Sequence, residues 1–240
     1  MKIEKVTIKN FRGYKDETTI AIDDLTVFVG KNDMGKSTIL EALDIFFNGK
    51  NAIAKIEKDD VNAANRMNGE CDIILGVTFS DLPLNIVLDD TNETTLSSEY
   101  LVNTDGRLEI IKLFPNGGSE KVFFNALHPT NKNCEDLLLK KRPELQKIVK
   151  ENEIECENRT INAELRKAIW NHFQENLNLQ EIYIDANKIS EKDLWEKLKN
   201  YMPLYALFQS DRKNSDGDSE VQDPMKLAVR EILSAPNIVQ

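Results

Sequence analysis

The chain has 240 residues, of which 40% are hydrophobic and 30% are charged, and its formal net charge is −10 at pH 7; this composition excludes a largely disordered chain and allows a substantial core. No apolar run approaches the roughly 20 residues that a membrane crossing requires, and the first residues lack a secretory-signal pattern, so we expect no membrane association and a cytoplasmic protein. The three cysteines lie far apart without a CxxC pair, which argues against a zinc site.

The first 50 residues predict strands followed by a loop and a helix. Residues 2–8 and 18–22 alternate like strands, and residues 25–29 (LTVFV) form the apolar, β-branched run that is typical of a buried central strand. A helix should begin after Gly35, where apolar residues recur at helical spacing, and should end at Asn48-Gly49. A strand, a glycine-bearing loop and a helix in this order make half of a βαβ unit.

From Cys71 to about Leu127 the apolar pattern changes to a period of two, which predicts antiparallel sheet. Asp105-Gly106 stands between two β-rich runs and predicts a hairpin there. A further turn is expected at Asn116-Gly117-Gly118.

Residues 134–202 are predicted to be mainly helical, with one strand at 179–185. Thr160 and Ser190 are candidate N-caps, the latter with Asp193 in a capping box. Basic residues cluster at the start of this region, including Lys140, Lys141 and Arg142. They form either a solvated helix face or a contact to a nucleic-acid phosphate backbone. Residues 210–223 read as a polar loop before a last helix at 224–233.

One motif carries chemistry: residues 30–37 read GKNDMGKS, a complete GxxxxGK[ST] phosphate-binding loop. Gly30 and Gly35 let the backbone turn so that successive amides face an anion. The helix that follows adds unpaired N–H groups and the positive end of its dipole. Lys36 can place its ammonium between the β and γ phosphates, and the Ser37 hydroxyl can ligate magnesium.

The loop and its surroundings resemble a known family. Asn32 gives the loop the GxNxxGK[ST] form, and the loop follows the segment IKNFRGY at 8–14 by about 20 residues. This pairing resembles the N-terminal ATPase lobe of ABC-type proteins of chromosome maintenance and repair: the structural-maintenance-of-chromosomes (SMC) proteins, RecF-type proteins and the OLD (overcoming lysogenization defect) nucleases. KSTILEALDIFFNG at 36–49, DDV at 59–61 and the strand at 71–81 look most like OLD-type and related anti-phage defence ATPases.

The resemblance implies an α/β P-loop NTPase, the first lobe of an ABC-type ATPase, with a mixed sheet and an inserted β-hairpin plus helical arm. The implied division is residues 1–84 for the ATPase lobe, 85–200 for the inserted arm, and 201–240 for a return strand, a polar loop and the start of a connecting helix. ATP and magnesium are the implied ligands. The implied nucleotide contacts are Arg12, Gly30, Asn32, Gly35, Lys36, Ser37 and Thr38, with Ser37 also on the metal. Asp33 departs from the glycine that many family members carry at its position.

The family hydrolyses ATP between two protomers and uses elements that are hard to find in this chain. Gln209, after the apolar run 204–208, is the candidate catalytic glutamine, and Gln222 is a weaker one. The acidic strand end has only lookalikes, Asp89-Asp90 and Asp185, and no signature segment is recognisable. Because water attack on a phosphoryl group needs a positioning group, we expect the chain to bind nucleotide and to hydrolyse it slowly or not at all without C-terminal elements.

Three functions remain open. The first is an ATP-binding lobe of an OLD- or SMC-like ATPase in DNA repair or anti-phage defence, which dimerises on ATP and gates a nuclease domain elsewhere; DNA would contact the basic arm. The second is a nucleotide-dependent interaction module whose arm binds a partner protein. The third is a self-contained P-loop kinase or NTPase with Asp89 as magnesium partner.

Overall fold

The structure, a computed structural model, describes residues 1–31, 35–89, 92–189 and 194–208. Its strands are β1 (Lys2–Lys9), β2 (Thr18–Ala21), β3 (Ile73–Ser80), β4 (Ile86–Asp89), β5 (Asn92–Thr94), β6 (Leu108–Phe114), β7 (Lys121–Pro129) and β8 (Leu179–Asp185). Its α-helices are α1 (Lys36–Asn48), α2 (Ala63–Met67), α3 (Arg142–Glu151), α4 (Asn162–His172) and α5 (Leu194–Lys199).

A six-stranded sheet in the order β2-β1-β3-β6-β7-β8 organises the chain, and its neighbouring strands all pair antiparallel. The α/β class and the antiparallel sheet expected over residues 71–127 are confirmed. β4 and β5 form a separate hairpin. Because β6 pairs with β3, the sheet continues across residue 84, where the sequence suggested that an inserted arm begins.

One face of the sheet is buried against α1. The alternation of β3 turns Leu75, Val77 and Phe79 inward, each at most 2% exposed. On α1 the apolar residues share one helix face, and Phe46 packs against Phe79 with ring centroids 6.4 Å apart. Burial of this apolar surface fixes the helix on the sheet and with it the position of the loop that precedes the helix.

The expectation of a buried strand at residues 25–29 is wrong. No backbone hydrogen bond joins these residues to the rest of the described chain. Leu25, Val27 and Val29 are 84%, 70% and 87% exposed, whereas Thr26 and Phe28 are half-buried. The segment has the side chains of a strand that is apolar on both faces, but a strand also needs a hydrogen-bonding neighbour.

The chain turns at both predicted places, but only one of the two turns joins a pair of strands. Asn116-Gly117-Gly118 connects β6 to β7 as expected, and Gly117 has φ +64 with the carbonyl of Glu57 only 2.9 Å from the Cβ position. At Asp105-Gly106 the chain turns, yet only the following run forms a strand. Residues 100–104 form no strand, and the Tyr100 ring packs against α4, with its centroid 5.0 Å from that of Trp170.

Residues 134–202 contain the predicted helices and strand, but the N-cap residue of α4 differs from the predicted one. α3, α4, α5 and β8 lie where expected. Thr160 does not cap α4, because Ile161 is the N-cap residue and the Thr160 hydroxyl donates instead to Asn158 Oδ1 at 2.6 Å. Ser190 and Asp193, the polar loop at 210–223 and the helix at 224–233 lie outside the described residues.

His128 lies in the core on β7, 2% exposed, and its ring makes edge-to-face contacts with the rings of Tyr100 and Trp170 at centroid distances of 6.3 and 6.0 Å. Its Nδ1 is 2.9 Å from the carbonyl oxygen of Tyr100. Burial lowers the pKa of His128, against the opposing effects of that hydrogen bond and of Asp136. The imidazole is therefore more readily protonated in the unfolded chain than in the folded one.

We expect acid to destabilise the protein partly through His128. As the pH falls below about 6.5, the unfolded chain binds a proton that the folded chain resists, so the free energy of unfolding should fall by up to about 1.4 kcal/mol per pH unit from this group. Urea unfolding between pH 5 and 7.5 measures the slope. His128→Gln should flatten it, while the exposed His172→Gln should not. Equal slopes in the parent and His128→Gln would contradict the assignment.

Candidate nucleotide-binding site

The predicted phosphate-binding loop lies between the exposed segment 25–29 and the start of α1. Gly35 has φ +80 and ψ 9, a left-handed conformation that favours glycine, and it is the N-cap of α1 without a side-chain cap. The amides of Lys36, Ser37 and Thr38 donate no hydrogen bond to any described residue. A helix start whose amides are unpaired binds anions well.

Lys36 folds back across the loop. Its ammonium donates to the carbonyl oxygen of Gly30 at 2.8 Å and also to that of Lys31. The positive charge therefore lies over the first residues of the loop. Lys36 is itself the first residue of α1, so this charge lies close to the amides that begin the helix.

The remaining predicted contacts differ in exposure. Ser37 is exposed on the first turn of α1, so its hydroxyl is accessible to a metal ion. Thr38 is buried, with 9% of its surface exposed. Asn32 lies outside the described residues.

Tyr14 contacts this site, although it is not among the residues predicted for it. Its hydroxyl donates to the Gly35 carbonyl at 3.3 Å, and its ring carbon lies 3.0 Å from where a Cβ at position 35 would be. Burial raises the pKa of Tyr14. The ring and the positive φ together require glycine at position 35. The signal available beforehand was only that Tyr14 ends the IKNFRGY segment.

Arg12 is held by two carboxylates rather than standing free at a strand end. Its Nε donates to Asp60 Oδ1 at 2.8 Å, and its Nη1 contacts a carboxylate oxygen of Glu41 on α1. The guanidinium also lies 4.9 Å from the ring centroid of Phe11. Burial alone would lower the pKa of Arg12, but the hydrogen bonds to Asp60 and Glu41 raise it above its usual value. Sequence inspection missed both carboxylates.

The chain returns to α1 shortly before Gln209. The Tyr205 hydroxyl donates to the carbonyl of Leu40 at 2.7 Å, and its ring stacks on Phe47 with centroids 5.8 Å apart. Burial, with Asp44 nearby, raises the pKa of Tyr205 well above its usual range. The structure assigns no strand to residues 203–208, where we expected one. Gln209 and Gln222 lie outside the described residues.

The acidic candidates Asp185 and Asp89 lie on elements other than the loop and α1. Asp185 ends the edge strand β8, four strand spacings or about 19 Å from β1 across the sheet. Its Oδ1 accepts the amide of Asn187. Asp89 ends β4 in the separate hairpin, and Asp90 lies outside the described residues. In the described part of the chain, no group of three or more His, Cys, Asp or Glu residues could hold a metal ion.

The basic cluster at the start of α3 is partly engaged locally. Arg142 Nε donates to Asn162 Oδ1 at 3.2 Å, and Lys140 Nζ lies 3.5 Å from the carbonyl of Glu135. Lys141 and Arg142 are exposed, and Lys140 is half-buried. Much of this cluster is therefore a solvated helix face, from which two cations still reach solvent.

A glycine-bearing loop, an uncapped helix and a lysine over the loop define a P-loop nucleotide-binding domain. The family model described as an AAA ATPase domain matches residues 1–238, and the chain belongs to this family. The family's description as an ATPase domain implies that the chain binds ATP. None of the described helices combines the length and apolar character needed to cross a membrane.

The curated relatives match only in part. The DNA replication and repair protein RecF of Acetivibrio thermocellus is 36% identical over 62 residues, which are 26% of this chain and 17% of RecF. The chromosome partition protein Smc of Halobacteriovorax marinus is 48% identical over 44 residues, 18% of this chain and 4% of Smc. The chain thus spans less than a fifth of either relative.

Solved structures that match part of this chain include SMC proteins. One, from work on ATP-driven dimerisation and DNA-stimulated activation of SMC ATPases, has 19% identity and a TM-score of 0.36, covering 65% of this chain and 81% of the other. The SMC head domain from Thermotoga maritima has 17% identity and a TM-score of 0.31, covering 62% of this chain and 51% of the other. Similarity at this level supports no residue-by-residue transfer.

Proposed function

We propose that this chain is the ATP-binding first lobe of an OLD- or SMC-like ATPase that acts in DNA repair or anti-phage defence in the cytoplasm. The observation that carries the proposal is the arrangement at the start of α1: a left-handed Gly35, amides on the next three residues that donate to no described residue, and the Lys36 ammonium against the loop. Together these groups provide directed donors and positive charge for a triphosphate.

The residues present fit magnesium-ATP. The amides at 36–38 and the Lys36 ammonium would hold phosphate oxygens, and the exposed Ser37 hydroxyl would ligate the metal. We assign Arg12, Gly30, Asn32 and Thr38 to the same site on the family resemblance. Bound magnesium-ATP would supply a γ-phosphoryl group whose charge the metal partly neutralises.

We infer that this lobe is incomplete for hydrolysis. The exposed apolar run at 25–29 has the composition of a central strand and lacks a neighbour among the described residues, which supports a second lobe that pairs with it. The relatives are much longer than the matched part. In this proposal residues 1–84 begin the ATPase lobe, 85–200 form the arm, and 201–240 lead toward the second lobe, with Gln209 as the catalytic glutamine.

ATP-dependent dimerisation tests the proposal. Sedimentation velocity of the chain with magnesium and a non-hydrolysable ATP analogue should show a dimer that is absent without nucleotide. Under the same conditions the isolated chain should hydrolyse ATP slowly or not at all. Fast turnover by the isolated chain that Asp89→Ala abolishes would instead favour a self-contained kinase or NTPase.

DNA binding separates a DNA-processing ATPase from a nucleotide-dependent interaction module. We expect salt-sensitive binding of duplex DNA in the presence of the analogue, because phosphate contacts release counterions. Neutralising Lys140, Lys141 and Arg142 together should weaken it and reduce its salt dependence. A nucleotide-bound dimer that does not bind DNA would favour the interaction module. The proposed nuclease partner would then have no support.

A further inference from the structure

Glu41 and Asp60 form a clamp on Arg12, here called the carboxylate clamp. Both are mostly buried, with side chains 23% and 16% exposed, and each contacts a different nitrogen of the guanidinium. The Arg12 backbone is tied to the same place, since its amide donates to the Asp60 carbonyl at 2.6 Å and its carbonyl accepts from Asn62 Nδ2 at 2.7 Å. Arg12 is therefore fixed at both its backbone and its side chain.

The clamp lies beside the start of α1. Glu41 follows Ser37 by four residues, so the two share one face of the helix one turn apart. Long side chains on a helix point toward its N-terminus, which directs Glu41 and its bound guanidinium toward the Ser37 turn. Two residues after Arg12, Tyr14 contacts Gly35 itself, so the 12–14 segment is attached to the loop and to the helix.

The guanidinium keeps donors to spare. An arginine has five N–H donors, and the clamp uses one on Nε and one on Nη1. No acceptor among the described residues contacts the three remaining N–H donors. If Arg12 moved away to reach a ligand, two mostly buried carboxylates would lose their partner, which is costly. We therefore expect the Arg12 side chain to keep its contacts with both carboxylates while a phosphate binds to its remaining donors.

We propose that Glu41 and Asp60 are positioning residues for nucleotide binding, which hold the Arg12 guanidinium so that its free N–H donors face the phosphates bound at the start of α1. This inference rests on the proposed ATP site. The guanidinium and its two carboxylates together carry one net negative charge. Arg12 therefore contributes directed N–H donors to a phosphate, whereas the net positive charge at the site comes from Lys36. Glu41 acts only through Arg12.

Equilibrium binding of magnesium-ATP to the full chain, by calorimetry, tests this coupling. Arg12→Ala and Glu41→Ala should each weaken binding about tenfold. The double variant should be no weaker than Arg12→Ala alone, because a residue that acts through another has no effect without it. Glu41→Gln, which keeps an acceptor for Nη1, should restore binding to within about threefold of the parent.

The matched control is Asp59→Ala. Asp59 precedes Asp60 and pairs with Arg66 at 2.8 Å, but its side chain is 92% exposed and does not contact Arg12. This variant should bind like the parent. Arg12→Lys should bind as weakly as Arg12→Ala, since an ammonium cannot serve two carboxylates and a phosphate in one plane.

Any of three results would overturn the proposed positioning role. Glu41→Ala could bind magnesium-ATP as well as the parent or better, or the losses in the double variant could be additive. Arg12→Lys could also bind like the parent. Failure of the ATP site itself looks different. In that case the folded parent would bind no magnesium-ATP, whereas failure of the clamp alone leaves a parent that binds and a Lys36→Ala variant that does not.

Discussion

Lys36→Ala should remove most of the binding of magnesium-ATP while leaving the fold intact. The lysine ammonium contacts only the loop carbonyls of Gly30 and Lys31 in the described structure, so the fold does not depend on it. Charge-assisted hydrogen bonds to phosphate contribute roughly 1.5–3 kcal/mol each, and we expect an affinity loss of about a hundredfold. The thermal shift on adding nucleotide measures this loss, since a ligand that binds only the folded state raises its stability.

Lys50→Ala is the matched control for that variant. Lys50 is an exposed lysine just beyond the other end of α1, so its loss removes the same charge away from the loop. It should keep the full shift. A Lys36→Ala variant that responds to nucleotide like the parent would show that the loop is not the binding site.

The largest loss of stability should follow Glu99→Ala. Arg166 on α4 is fully buried, and its Nε and Nη2 donate to the two carboxylate oxygens of Glu99 at 2.7 and 2.9 Å. Thr94 also donates to this carboxylate, at 3.0 Å. Glu99→Ala takes a carboxylate and two charge-assisted hydrogen bonds away from a buried guanidinium, so we expect the free energy of unfolding to fall by about 3–5 kcal/mol.

Urea unfolding checks this expectation against a surface pair. Lys147 and Glu151 on α3 are 3.7 Å apart with side chains 72% and 60% exposed, so Glu151→Ala should change the free energy of unfolding by less than about 0.5 kcal/mol. If Glu99→Ala costs no more than Glu151→Ala, the buried pair does not contribute to the stability of the α4 region. Glu99→Gln should fall between the two, because it keeps hydrogen bonds but loses the charge.

Local patterns were enough to find the parts of the site that are close in sequence. The spacing of Gly30, Gly35, Lys36 and Ser37 identifies the loop, and the apolar period after it identifies α1. Both follow from short-range geometry, in which glycine permits the turn and helical spacing defines the buried face. The hairpin at Asn116-Gly117-Gly118 was predictable for the same reason.

Longer-range contacts were not predictable. Glu41 and Asp60 are 29 and 48 residues from Arg12, and no local pattern indicates that they meet it. The Asp105-Gly106 turn was predictable, but Tyr100 before it packs against Trp170 on α4, and residues 100–104 form no strand. At residues 25–29 the apolar composition predicted a buried strand that the structure does not contain, because a strand also needs a hydrogen-bonding neighbour, which the described chain does not supply.

The most direct test of the nucleotide site is an amide NMR titration of the full chain with magnesium and a non-hydrolysable ATP analogue. We expect the largest shifts on Gly30, Gly35, Lys36 and Ser37, with smaller ones on Arg12 and Tyr14, and we expect Lys36→Ala to remove them. Saturable binding that leaves the amides of residues 30–38 unshifted would contradict this expectation.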